Sequence, residues 1–314
     1  MLKEIATFIA DLFPPKPTFK PEDIPDLTGK IIIVTGANTG VGKETAKVLL
    51  ARNAKVYIAA RSQERAEQAI EDLKRETGKE GLYLHVDLAD LASVKAAAEE
   101  FLNKEQVLHV LFNNAGVMFP PVADVTAQEY DLQFGTNVLG HYYFTSLLIP
   151  ALLKGAASSP DGKARVVTTS SAASYLAYTI NFNTLKDGPV REKQLSGWLY
   201  NQSKLGNILV SNGFAKRYGD HGIVSTCVHP GSLDSDLFRH LAPWQVAMMR
   251  FFLHPSSFGA LTQLYAGTMK EGAELNGKWL RPWARVGDHP SPLASDEKLT
   301  EDLWQWCEDQ VASI

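Results

Sequence analysis

The sequence predicts an α/β protein built on a doubly wound parallel sheet with helices on both faces. Three observations predict it. Strand-like and helix-like patterns alternate from Lys30 to the C-terminus. The first strand-like run, Ile31-Ile32-Ile33-Val34, is apolar and β-branched, as a parallel strand buried on both faces must be. Gly36, Gly40 and Gly42 follow it at once and lead into a helical pattern with apolar Ala46, Val48, Leu49 and Leu50.

Residues 1–27 read as an N-terminal helix and linker ahead of one domain over 28–314. In the first thirteen residues Leu2, Ile5, Phe8, Ile9, Leu12 and Phe13 recur at helical spacing, with Lys3, Glu4 and Asp11 opposite. Such a helix docks on the body of the protein or makes peripheral contact with a membrane; its low positive charge favours docking. It lacks the basic start and small-residue cleavage site of a signal peptide. Pro14, Pro15 and Pro17 end it. Strands are then expected at Lys55–Ala60, Leu82–Val86, Val107–Phe112, Arg165–Thr169 and Ile223–Val228. Between them lie a charged helix over Ser62–Thr77 with Ser62 as N-cap, one capped by Asp90 and ending near Asn103, and a long one over Asp131–Leu153. A further helix ends near Tyr218. Leu275 to Leu280 suggests a turn into a last strand, and a final helix starts at Ser295 with Leu299, Leu303 and Cys307 on one face.

Composition narrows the function. The 31 basic and 35 acidic residues give a net charge of −4, which favours neither nucleic acid nor an anionic membrane as partner. Cys227 and Cys307 are the two cysteines, so no disulfide framework is implied and a reducing, cytoplasmic setting fits. No stretch is long and apolar enough to span a bilayer. No metal-ligand spacing stands out.

Two features carry chemistry. Glycines between a buried strand and a helix let the backbone turn tightly and approach a pyrophosphate, which the positive end of the helix then holds. The spacing here, three residues and then one, differs from G-x-G-x-x-G. Further on, Tyr200 and Lys204 stand four residues apart, one turn apart on one helix face. A cation near a phenol stabilises the phenolate and lets a tyrosine trade protons closer to neutral pH. Of the ten tyrosines only Tyr200 has such a lysine, a coincidence-level match on its own.

The whole constellation is more specific. Thr35 to Gly42, Asn113-Asn114-Ala115-Gly116, Ser171, Tyr200, Lys204 and Pro230-Gly231 occur in one order at the expected strand ends. With these the chain resembles the short-chain dehydrogenase/reductase family over roughly residues 28–281. It looks most like the retinol-dehydrogenase-like branch and its fungal light-induced alcohol dehydrogenase-like relatives. The resemblance implies a Rossmann fold and a catalytic set of Asn137, Ser171, Tyr200 and Lys204. Ser171, followed by Ala172-Ala173-Ser174, matches the family's serine better than Ser170 does, although either can be a strand-end turn residue. Asn137 matches the asparagine that bends a long helix and anchors a water in the proton relay. The implied cofactor contacts are Gly36, Asn38, Thr39, Gly40, Val41, Gly42, Arg61, Asp87, Leu88, Asn114, Ala115, Gly116, Tyr200, Lys204, Pro230, Gly231 and Ser232. Among them Asp87 would hydrogen-bond the adenine and Lys204 the nicotinamide ribose.

Cofactor preference is partly legible. An NAD site places an acid about 20 residues beyond the glycines, on the ribose 2′-hydroxyl. Here that stretch reads Tyr57-Ile58-Ala59-Ala60-Arg61-Ser62, with no acid before Glu64. Ala60 leaves room for a 2′-phosphate and Arg61 can pair with it, so NADP(H) is expected over NAD(H).

Tyr200 lies 29 positions after Ser171, a longer separation than in compact members of the family. That insertion, with Tyr175, Tyr178, Phe182 and Trp198, is expected to form a pocket wall. A substrate lid is expected over about 232–258, rich in apolar residues such as Phe238. The expected substrate contacts are Ser171, Tyr178, Tyr200 and Phe238, and the expected substrate is a small lipophilic or aromatic aldehyde, ketone or alcohol. Two alternatives stay open: a non-catalytic dinucleotide-binding sensor or scaffold, and isomerase or cyclase chemistry on the same site. Pairing into a homodimer through the helix bearing Tyr200 is a further expectation from the resemblance, unless the terminal extensions cover that surface.

Overall fold

The computed structural model describes residues 7, 9–234 and 253–314. Its centre is an eight-stranded sheet in the order β3-β2-β1-β4-β5-β6-β7-β8. The strands are β1 (Ile31–Thr35), β2 (Lys55–Ala60), β3 (Leu82–His85), β4 (Val110–Asn113), β5 (Ala164–Thr169), β6 (Ile223–Val228), β7 (Trp279–Arg281) and β8 (Arg285–Gly287). Seven run parallel, and β8 pairs antiparallel to β7 through Leu280 opposite Val286. β8 is a finding that the sequence did not announce, since three residues with two charged or polar neighbours carry no strand period.

Alternation within β1 explains how the sheet is clad. Ile33 joins a core with Val94, Phe101, Leu148 and Leu205 on one face, while Ile32 and Val34 join Leu49, Leu73 and Leu264 on the other. All three isoleucine and valine side chains are fully buried, worth about 2 kcal/mol each against exposure. One face carries α1 (Gly40–Ala51), α2 (Gln63–Thr77) and α6 (Ser256–Thr268). The other carries α3 (Leu91–Lys104), α4 (His141–Ser158), α5 (Ser196–Tyr218) and, outside them, α7 (Glu297–Val311).

The caps follow local chemistry. Ser62 accepts from the Arg65 N–H, and α2 ends at Gly78 with φ +71. Asp90 accepts from Ala92 N–H at 3.0 Å to start α3. The final helix is capped by Asp296, one residue after the expected Ser295, through the Leu299 N–H at 2.9 Å. The long helix expected over Asp131–Leu153 is interrupted: a turn at Leu132–Phe134 passes into a π-helical stretch, Gly135–Gly140, before α4.

Trp304 of α7 fills the space over Gly213 of α5, its ring edge-on to Phe214 at 4.8 Å. Asn212 of α5 also donates to Ala294 O at 2.8 Å, so the C-terminal segment covers part of the helix that bears Tyr200.

The N-terminal helix departs from its expected orientation. Residues 9–12 are helical, yet Asp11, expected on the polar outer side, is 1% exposed, while Ile9 and Phe13 are 52% and 63% exposed. Arg281 donates to the Asp11 carboxylate at 2.7 Å and Tyr175 donates to it at 3.2 Å, with Arg285 at 3.8 Å. Two guanidiniums and a phenol offset the desolvation of that carboxylate, and this outweighs the apolar pattern.

Candidate active site

The strand order reverses between β1 and β4, and the crevice at their carboxyl ends is where such folds place ligands. The glycine turn lines it. Gly36 and Gly40 have φ +68 and +52, the left-handed region that glycine enters without strain. A Cβ on Gly42 would collide with the Gly36 carbonyl and stand 2.6 Å from Asn114 Nδ2. α1 begins at Gly40 and has no acidic residue in its first turn, which leaves its positive end for an anion. Asn38, Thr39 and Val41 lie half-buried along this turn. The residues present therefore fit a dinucleotide pyrophosphate.

Behind the turn, one hydroxyl ties three segments together. Thr35 Oγ1 accepts from the N–H groups of Asn114 at 2.9 Å and Ala115 at 3.0 Å, and lies 2.9 Å from His141 Nε2. His141 Nδ1 lies 3.1 Å from Asn137 O, which can only accept, so Nδ1 carries the proton and Nε2 shares the Thr35 hydroxyl proton with Phe112 O at 3.2 Å. Burial holds this imidazole neutral, its pKa pushed down to about 4. Asn114 Nδ2 donates to Thr35 O at 2.8 Å, and its Oδ1 receives Gln263 Nε2 at 3.4 Å. Gln263 is fully buried on α6, bonds Thr45 of α1, and accepts from Thr169 Oγ1 of β5 at 3.0 Å. His141 and Gln263 escaped the sequence reading, and Thr35 entered it only as the first residue of the glycine motif, because an isolated polar residue in an apolar pattern does not name its partners.

The Tyr200–Lys204 pair lies on α5 beside the end of β5. Lys204 Nζ donates to Thr169 O at 3.1 Å and stands 5.7 Å from the centre of the Tyr200 ring. Ser170 is occupied, its Oγ donating to Lys204 O at 2.6 Å. Ser171 is half-buried, caps the short helix Ala172–Leu176 through the Ala173 N–H, and hydrogen-bonds Tyr200. Asn137 sits in the π-helical stretch, accepts from Val117 N–H at 2.9 Å and donates to Val117 O and Ser203 Oγ. Gly116 closes the group: a Cβ there would lie 3.2 Å from Asn137 Oδ1 and 3.6 Å from Lys204 Nζ.

Burial dominates the electrostatics. Tyr200 is pushed up to about 12 by desolvation, which the Ser171 hydrogen bond only partly opposes. Lys204 is pushed down to about 8 by the same cause. The expected lowering of Tyr200 by Lys204 is therefore not what these residues produce by themselves.

The fold and the sequence agree with known proteins. The short chain dehydrogenase family model matches residues 30–183. A short-chain dehydrogenase/reductase of Armillaria gallica is 55% identical over 97% of both chains. The chain belongs to the short-chain dehydrogenase/reductase family. Human retinol dehydrogenase 12 is 39% identical over 88% of this chain and 85% of its own, in keeping with the retinol-dehydrogenase-like branch. A solved structure from Mycobacterium paratuberculosis superposes with a TM-score of 0.73 at 29% identity, covering 94% of this chain and 97% of that one. As a member of this family the protein is an oxidoreductase with a dinucleotide-binding fold, acting on CH–OH and C=O groups.

The remaining predicted positions of this dehydrogenase are spread more widely. Arg61 is largely exposed at the end of β2 and lies 3.8 Å from Asp87, which also accepts from Ala89 N–H. Leu88 is buried, with its carbonyl against Gly140. Gly231 has φ +92 and packs on Trp283, between half-buried Pro230 and Ser232. The expected wall in the insertion divides. Tyr175 is turned into the core and bonds Asp11, and Phe182 packs against the core, whereas Tyr178 is 77% exposed. Phe238 and most of the expected lid lie outside the described residues.

Proposed function

We propose that the protein is an NADP(H)-dependent carbonyl reductase and alcohol dehydrogenase for lipophilic or aromatic aldehydes, ketones and alcohols, with Tyr200 as acid and base. The observation that carries this reading is the grouping of buried Tyr200, Lys204 and Asn137 with half-buried Ser171, next to Gly116. When bound, the nicotinamide supplies or takes the hydride. Ser171 Oγ holds the substrate oxygen beside the phenol, and Tyr200 gives that oxygen its proton on reduction. A phenol held near 12 is protonated throughout neutral pH, which suits reduction directly. Oxidation needs the phenolate, and a cationic ring in the cleft together with charged Lys204 would stabilise it. Lys204 holds the nicotinamide ribose hydroxyls, and Asn137 fixes the π-helical bend beside Lys204 and Gly116. Arg61, over a floor of Ala60, pairs with a 2′-phosphate, which supports NADP(H) over NAD(H).

The test is to follow absorbance of NADPH and NADH with a panel of aldehydes and ketones, using wild type and Tyr200→Phe. Wild type should oxidise NADPH faster than NADH, and Tyr200→Phe should lose activity by a factor of about 10³ while still binding the cofactor. Near-normal turnover in Tyr200→Phe would sink the assignment of the acid. Tight cofactor binding with no turnover of any carbonyl by wild type would favour isomerase chemistry or a non-catalytic role.

A further inference from the structure

Phe119 is one of four non-glycine residues with positive φ among the described residues, at +54, and it is the aromatic one. A bulky side chain in this region is strained, and persists only where its surroundings hold it. They do so here through a closed set of hydrogen bonds. The Phe119 N–H donates to Gln133 Oε1 at 3.0 Å, and Gln133 Nε2 donates to Ser196 O at 2.9 Å. Ser196 Oγ donates in turn to Pro120 O at 2.8 Å. The loop after β4, the turn before the π-helical stretch and the first residue of α5 are thereby joined around one phenyl ring. That ring stands edge-on to Tyr200, centroids 5.2 Å apart at 72°, and is half-buried, with Gly197 rather than a larger residue alongside.

We propose that Phe119 is a specificity-determining residue whose ring forms a fixed wall beside Tyr200 and favours flat, conjugated carbonyl compounds over saturated ones. An aromatic wall already held in place gains contact with a flat π-system without first being ordered, and the gain from edge or offset stacking is absent for an alkyl chain. The inference rests on the carbonyl-reductase reading above, and deepens it.

Rates of NADPH oxidation with cinnamaldehyde and with octanal, in wild type, Phe119→Leu and Phe119→Gly, test it. Removing the ring in either variant should lower kcat/KM for cinnamaldehyde about tenfold and change that for octanal less than about threefold, with cofactor affinity unchanged. Phe119→Gly relieves the positive φ, so its melting temperature should match or exceed that of Phe119→Leu. An equal fall for both aldehydes, or a loss of cofactor binding, would show a merely structural residue and overturn the proposal. Wild-type activity with an unchanged preference in both variants would overturn it while leaving the carbonyl-reductase reading intact. A wild type inactive on both aldehydes and on the wider panel would overturn that reading, and this inference with it.

Discussion

The cofactor side and the substrate side of the cleft are made of different materials. On the proposed cofactor side the cleft presents backbone at Gly36, Gly40 and Gly42, braced by the buried Thr35, Asn114 and Gln263 network. On the substrate side, short helices and loops over residues 172–195 carry side chains that range from buried Tyr175 to Tyr178 and Leu195 at 77% and 79% exposure. A backbone cradle tolerates almost no substitution, because its shape is set by φ angles and by the absence of Cβ atoms. A wall of loop side chains can change one residue at a time without disturbing the sheet. On the proposed reading, the grip on the cofactor is fixed by one side and the choice of substrate is left to the other.

That contrast can be broken in four ways. The largest effect is expected from Gly42→Ala, where the new methyl meets the Gly36 carbonyl and Asn114. Cofactor affinity measured by fluorescence titration should fall about a hundredfold, with a stability loss of about 2 kcal/mol. Unchanged affinity would mean the cradle is not the binding surface.

Two buried histidines, His141 beside Thr35 and His229 stacked on Trp279 just after β6, should also make the protein acid-sensitive. His141 and His229 are both held near 4 by burial, below an unfolded value near 6.5. Unfolded chains therefore bind more protons as pH falls, and the stability present above 6.5 is lost progressively toward 4, by roughly 2 kcal/mol per histidine. Urea denaturation between pH 7 and 4.5 should show this decline, and a flat profile would contradict the buried neutral imidazoles.

A smaller effect is expected at the rim. Arg61→Ala should raise KM for NADPH about tenfold and leave NADH nearly unchanged. No change for either would place Arg61 as a solvated partner of Asp87 only, and an equal rise for both would place it on a part the two cofactors share. Smallest of all, Tyr178→Ser should alter stability by less than about 0.5 kcal/mol, because the ring is already in water. A larger loss in thermal unfolding would mean that the loop rests on that side chain.

The same division explains what the sequence disclosed. Ile31 to Gly42 shows strand, turn and helix start in consecutive residues, because period and glycine placement are local properties. Tyr200 and Lys204 were visible because helical spacing brings them together, and Ser171 because it follows a strand-like run. Asp11 was misplaced because its partners, Arg281 and Tyr175, are more than 160 residues away in the chain. His141, Gln263 and Phe119 matter through partners on other elements, and no local pattern marks them. The break in the helix at Gly135–Gly140 was implied by the resemblance at Asn137, whose side chain is bonded there to Val117 and Ser203.

The carboxylate of Asp11 makes the start of the chain a fastener for the far edge of the sheet. Arg281 closes β7 and Arg285 opens β8, and burial and Arg281 already push the Arg285 guanidinium below its ordinary value. A shortened chain beginning at Pro14 would leave two cations facing each other across the tight turn between those strands. Fraying would then begin at β8, an edge strand held by β7 alone, and reach the Trp283 ring on which Gly231 rests. A tag or truncation chosen for convenience at one end of the gene could in this way loosen the rim of the cleft.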